Sequence, residues 1–143
     1  MSLISGAHIK YELVYHVQWC TKYRKKIFRQ EGYKCDYENI LNTVASWHDI
    51  QIIEYAVQPE HVHAIISVRS TTGIPQIFQY LKGGTSFQFF RMHPEFRKTY
   101  PNGHLFSPGK FIRTVGPVDL QKEIDYVRNQ SGHQQIDVRQ RKL

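Results

Sequence analysis

IQIIEYAVQPEHVHAIISV, residues 50–68, is the stretch that decides the fold. Two apolar, β-rich runs, 50–57 and 61–68, flank the turn-like Gln58-Pro59-Glu60, and so short a connection predicts a β-hairpin. Alternation in the second run sends Val62, Ala64, Ile66 and Val68 to one face, expected to be buried against helices. His61 and His63 project together from the opposite face, about 6.6 Å apart along the strand. Two imidazoles aimed at one point can chelate a divalent metal. A pair of solvated strand histidines is the other reading of the same spacing.

Upstream, HIKYELVYHVQWC (8–20) alternates as well. Ile9, Tyr11, Leu13, Tyr15, Val17 and Trp19 share one face; His8, Lys10, Glu12, His16 and Gln18 share the other, with Val14 the exception. This is a strand. A helical stripe of Tyr37, Ile40, Leu41, Val44 and Trp47 or His48 follows over about 36–48, with Asp36 as its N-cap. Downstream of the hairpin, 74–92 is expected to be helical, with Ile74, Ile77, Phe78 and Leu81 inward. Gly83 and Gly84 interrupt it, which implies close backbone packing or a kink. Residues 93–109 are loop-like, KFIRTV (110–115) is a short strand, and a last helix runs from about Val118 to Gln130 with Pro117 at its start. The first six elements give an α+β fold. It is ferredoxin-like, β-α-β-β-α-β, a single antiparallel sheet with helices on one face, and the C-terminal helix is extra.

The 143 residues suit one domain, with 131–143 a polar tail that is expected to be poorly ordered. No run approaches the roughly 18 apolar residues that span a bilayer, and the first residues lack a signal-peptide layout. A cytoplasmic protein with no membrane partner is therefore expected. Nineteen Lys plus Arg against twelve Asp plus Glu leave a net charge of +7, an excess that favours a polyanion such as nucleic acid. Lys22, Arg24, Lys25 and Lys26, interleaved with Trp19, Tyr23 and Phe28, offer phosphate neutralisation and stacking surfaces. Lys82, Arg91, Arg97, Lys98 and Arg113 form a more scattered second group. Cys20 and Cys35 have neither zinc-site nor disulfide-scaffold spacing and are read as reduced, packed thiols.

In the last helix Leu120, Ile124 and Val127 form the core stripe. At about 100° per residue Tyr126 falls well off that stripe, so core packing does not explain it. Gln130, one turn on, lies on the same flank. A surface Tyr beside a surface Gln would also fit this spacing. Glu60 precedes the strand histidines and is expected to point away from them, as a structural or supporting group. His16 and Gln18 lie on the polar face of the first strand, and an ordinary hydrogen-bonded role is expected for His16.

Taken together, Glu60-His61-Val62-His63-Ala64-Ile65-Ile66, Trp19-Cys20-Thr21-Lys22-Tyr23-Arg24, Leu81-Lys82-Gly83-Gly84 and Gly103-His104-Leu105-Phe106-Ser107-Pro108 through Thr114-Val115-Gly116 resemble the single-tyrosine HUH transposases of bacterial and archaeal insertion sequences. The resemblance covers nearly the whole chain. It departs at Phe111 and Gly109-Lys110, where DNA contacts rather than chemistry would be altered. The resemblance implies that Tyr126 is the nucleophile and that Gln130 joins His61 and His63 as third ligand to Mg²⁺ or Mn²⁺. It also implies cleavage and rejoining of single-stranded DNA, with hairpins at the element ends, through a 5′-phosphotyrosine. A homodimer is expected because excision needs two cleavages, and each tyrosine helix could serve the partner's histidines. Gly116 and Ser131-Gly132 are candidate hinges for that exchange. A domesticated or non-transposing nickase keeps the same chemistry. A non-catalytic nucleic-acid-binding module of this fold would leave Tyr126 and Gln130 without a role.

Overall fold

The hairpin forms where its alternation puts it. In the computed structural model, which describes residues 12–132, β2 spans Gln51–Val57 and β3 His61–Arg69. They pair antiparallel, Val57 opposite Val62 and Ala56 opposite His63. The first strand, β1 (Glu12–Thr21), pairs with β3 on one side and with β4 (Phe106–Thr114) on the other, giving the order β2-β3-β1-β4. All three pairings are antiparallel, as expected for this fold. The start of the first strand, His8 to Tyr11, and the tail 133–143 lie outside the described residues.

Both faces of the sheet are covered. One carries α1 (Glu31–Trp47), α2 (Ile74–Phe78) and α3 (Thr85–Met92) over the larger core. Tyr15, Val17, Trp19, Val62, Ala64, Ile66 and Val68 all join that core, as their alternation requires. The opposite face is crossed by α4 (Leu120–Gly132). Beneath it Val14, Ala56, Ile65, Val115 and Val127 form a second cluster, with Ile53, Leu120 and Ile124 packed against it. Val14 breaks the alternation of β1 because its polar-side face is dry where α4 lands. Leu13, expected inward, is exposed. Complete burial of Val127 alone stabilises docking of α4 by about 1.5–3 kcal/mol.

Several boundaries differ from expectation. α1 begins five residues before Asp36, because Tyr33 packs against Phe89, His93 and Phe96 and draws Glu31–Cys35 into the helix. Asp36 is therefore no N-cap; its carboxylate accepts from His93 Nε2 at 2.8 Å. Trp47 is exposed, and His48 instead stacks on Tyr80. The 74–92 segment is helical throughout but passes through a π-helical turn over Gln79–Gly84. At Gly84 a Cβ would stand 3.2 Å from Val44 Cγ1, so the close approach is real. Ile74, expected inward, is exposed, while Ile77, Phe78 and Leu81 are buried. β4 starts four residues early: its pairing with β1 shifts register between Trp19 and Thr21, which lets Ser107-Pro108-Gly109 sit in a bulge. Residues 117–119 form a turn, so Pro117 does not open α4. Ser131-Gly132 is inside α4 rather than a hinge after it. Both cysteines are free thiols, but Cys35 is exposed rather than packed. Among the described residues no helix is long and apolar enough to cross a membrane.

Candidate active site

The β1–β3 register sets Gln18 opposite His63 and His16 opposite Ile65. His16 and His63 are thus diagonal neighbours on the α4 face, within reach of each other. Their rings meet, His16 Nε2 to His63 Nδ1, at 3.2 Å. The His61 and His63 rings lie with centroids 4.7 Å apart. His61 opens β3, so Glu60, one residue earlier, is outside the strand and is not bound by its alternation. Its carboxylate turns back and accepts from His61 Nδ1 at 2.8 Å. A carboxylate can only accept, which makes Nε2 the lone-pair nitrogen of a neutral His61. Glu60 is therefore the supporting group expected, although its side chain does not point away.

From the other side α4 supplies Glu123, Tyr126 and Gln130. Tyr126 is 44% exposed, and its ring lies 6.3 Å from those of both His16 and His63. Glu123 accepts from His16 Nδ1 at 3.1 Å and pairs with Arg113 through its other oxygen. Burial holds His16 below the ordinary imidazole range, against the opposing pull of the Glu123 carboxylate. His16, His63, Arg113, Glu123, Tyr126 and Phe111 line a cleft of about 600 Å³. Gln130 is only 2% exposed, and its amide oxygen Oε1 has no hydrogen-bond partner among the described residues. Its backbone carbonyl accepts from Gln58 Nε2, and Gln58 N in turn donates to the carbonyl of His61. That relay ties the end of α4 to the start of β3.

Among the described residues no three His, Cys, Asp or Glu side chains group as a metal site. An ion at His61 and His63 would need a ligand of another type. An amide oxygen buried without a partner costs roughly 1–3 kcal/mol, a penalty that a cation would relieve. In donor chemistry, the imidazoles of His61 and His63 and the amide oxygen of Gln130 would suit a divalent ion such as Mn²⁺.

The nucleic-acid candidates divide. Tyr23, Arg24, Lys25 and Lys26 are exposed on the turn after β1, and Lys22 is half-buried. Tyr23 and Arg24 hold left-handed backbone at φ 62° and 51°, a strained conformation pinned by the Thr21 hydroxyl donating to the Lys25 carbonyl. Trp19 is a correction: at 1% exposure, wedged against Phe78 and Phe106, it has no face for a base. Phe28 is buried likewise. Lys82 donates to the Gly109 carbonyl and, with Lys22 and Lys110, rims a separate cleft of about 550 Å³. Burial first, and Lys110 second, lower the Lys82 pKa. Arg113 sits in the histidine cleft, engaged with Glu123 rather than grouped with the lysines.

Glu123 and Gln58 were not singled out by sequence. Glu123 is three residues before Tyr126, on the same flank of the helix, and that spacing was the available signal. Nothing in the sequence marks Gln58, whose role depends on where α4 ends.

The model of the IS200-like transposase family matches residues 9–130. The chain belongs to this family. Among its relatives, the ISDra2 transposase TnpA of Deinococcus radiodurans is 30% identical over 131 residues, spanning 87% of this chain and 91% of that protein. The transposase for insertion sequence element IS200 of Salmonella typhimurium is 25% identical over 126 residues, spanning 88% and 82%. A crystal structure assigned as a transposase from Deinococcus radiodurans R1 matches this IS200-like transposase with a TM-score of 0.70 at 26% identity, over 92% of this chain and 98% of that one. The REP-associated tyrosine transposase, solved bound to a REP hairpin, shares the fold with a TM-score of 0.61 at 16% identity, over 91% and 72%. As an IS200-like transposase, the protein is a DNA-processing enzyme.

Proposed function

We propose that this transposase cleaves and rejoins single-stranded DNA through Tyr126. The reading is carried by one arrangement: an exposed phenol against His16 and His63, on a helix whose next turn holds a buried amide with an orphaned oxygen. Attack by the Tyr126 oxygen forms an O–P bond and breaks the P–O3′ bond. The phenolic proton is lost to water and the departing 3′ oxygen gains one, leaving a 5′-phosphotyrosine and a 3′-OH. A second 3′-OH reverses the exchange and reseals DNA, with no need of ATP.

His61, His63 and Gln130 would hold the ion, Mg²⁺ or Mn²⁺. All three are uncharged donors, which leaves the full charge of the ion in place. Bound there, the ion would supply a positive field that favours charge on the attacking oxygen and on the phosphate. Arg113 and Lys122 on the cleft rim suit the flanking phosphates. The exposed Tyr23 with Arg24, Lys25 and Lys26 suits an unpaired strand, and hairpin-bearing element ends are the substrate this reading assigns. One tyrosine serves one cleavage, so a homodimer carries out excision, with the sites assembled in cis or in trans.

The test is covalent capture. Labelled single-stranded end DNA with Mg²⁺ or Mn²⁺ is expected to give a denaturation-resistant protein–DNA species, and Tyr126→Phe to give none while still folding and binding DNA. A normal yield of adduct from that variant would overturn the assignment.

A further inference from the structure

Three side chains in the cleft are joined in a line that the cleavage chemistry does not itself use. Glu123 Oε2 meets His16 Nδ1 at 3.1 Å, and His16 Nε2 meets His63 Nδ1 at 3.2 Å. The carboxylate end of this line has a fixed polarity, because Glu123 is held by Arg113 through its other oxygen and a carboxylate only accepts. The proton between Glu123 and His16 therefore belongs to Nδ1 of His16. In a neutral His16 the remaining nitrogen, Nε2, then carries the lone pair and accepts. The proton between the two rings in turn belongs to Nδ1 of His63. His63 is left with its lone pair on Nε2, the same nitrogen that Glu60 selects on His61.

We propose that His16 and Glu123 are positioning residues which, through this line of hydrogen bonds, fix the tautomer and orientation of His63 as a ligand. The proposal rests on the reading of His61, His63 and Gln130 as a metal site. It adds a coupling to it, since Glu123 lies one turn before Tyr126 on α4. The helix that delivers the nucleophile also delivers the carboxylate that sets the ligand nitrogen of His63. Seating of α4 on the sheet, through Val127 and Ile124, brings both into place together. Groups of this kind behind a histidine ligand govern metal affinity by about 10- to 100-fold.

The experiment has two readouts. Imidazole ¹⁵N chemical shifts in the metal-free protein report which nitrogen of each histidine carries hydrogen, and Mn²⁺ titration reports affinity. In the native protein His61 and His63 are expected as Nδ1–H tautomers. His16→Phe keeps a ring in the buried slot but removes the acceptor. It is expected to release His63 to a mixture of tautomers and to weaken Mn²⁺ binding by about 10- to 100-fold, with His61 unchanged. His16→Gln, whose amide oxygen can take the place of Nε2, is expected to restore the His63 tautomer and most of the affinity. Glu123→Ala should loosen the same preference with His16 still present. A His63 spectrum and Mn²⁺ affinity identical to native in His16→Phe would overturn the proposal. Failure of the native protein to bind Mn²⁺ would refute the metal site instead, and the ¹⁵N result would still decide the hydrogen-bond line.

Discussion

Replacing Gln130 with Met is expected to stabilise the metal-free protein and to remove its response to metal. The side chain is 2% exposed and its amide oxygen lacks a partner among the described residues, so the native fold bears a desolvation cost of roughly 1–3 kcal/mol there. Methionine has nearly the same length and flexibility and no acceptor to strand. Allowing about 1 kcal/mol for imperfect repacking around the thioether, the net gain is on the order of 1 kcal/mol. In a chain of this size that raises Tm by roughly 3–5 °C. Saturating Mn²⁺ acts in the opposite sense. At a concentration of about 100 Kd it stabilises the native protein by about 2.7 kcal/mol, whereas the variant lacks one donor and gains far less. Thermal melts in chelator should therefore rank Gln130→Met above native, and melts in excess Mn²⁺ should invert that order. A variant that melts below native in chelator, or that rises with Mn²⁺ as far as native does, would refute the argument that the orphaned oxygen is kept for a cation.

Other perturbations follow from the same geometry. Tyr23→Gly relieves a left-handed φ of 62° and should stabilise the fold by about 1 kcal/mol, yet weaken single-strand binding by about 1–3 kcal/mol through loss of a stacking face; chemical denaturation and a DNA titration separate the two. Burial raises the Tyr100 hydroxyl to about 12, above the ordinary tyrosine value near 10. The folded state thus holds its proton longer, so this stability is complete below about pH 10 and is lost as pH rises through about 12. Alkaline denaturation should show that loss, and Tyr100→Phe should reduce it, while Tyr37, also raised by burial, keeps its own share. Mixing a Tyr126→Phe chain with a His61→Ala, His63→Ala chain, each inactive alone, should recover cleavage if sites are built from two chains. A protein that stays monomeric both in solution and on DNA would remove the basis for the dimer.

Alternation alone was enough to place the sheet and the pair of histidines, because β3 presents Val62, Ala64, Ile66 and Val68 to one core without interruption. Helical periodicity likewise isolated Tyr126, whose exposure follows from its angle to Leu120, Ile124 and Val127. What escaped was tertiary. Asp36 looks like a cap until Tyr33 and His93 are seen to extend the helix past it. Trp19 reads as part of a basic, aromatic DNA track, but its position in β1 points it into the larger core. In β2 the pairing shifts register between Ile52 and Glu54, so Ile53 turns under α4 while Ile52 and Tyr55 face the helices. A strict period of two cannot anticipate that change of phase. Glu123 and Gln58 matter only because α4 lies where it does, which no local pattern records.

β3 is buried along almost its whole length on both sides, from Val62 to Val68. A strand enclosed in this way has no freedom of register, since a slip of one residue would drive His61 and His63 into hydrocarbon and expose Val62 and Ala64 to the cleft. Tolerance at the reacting centre is thus inherited from the two cores rather than from the polar groups themselves. Variation that slackens Ile65 or Val127 beneath α4 would show first as imprecise chemistry, at temperatures where the molecule still melts as one unit. Selection for accurate cleavage would then act on apolar residues that never touch DNA.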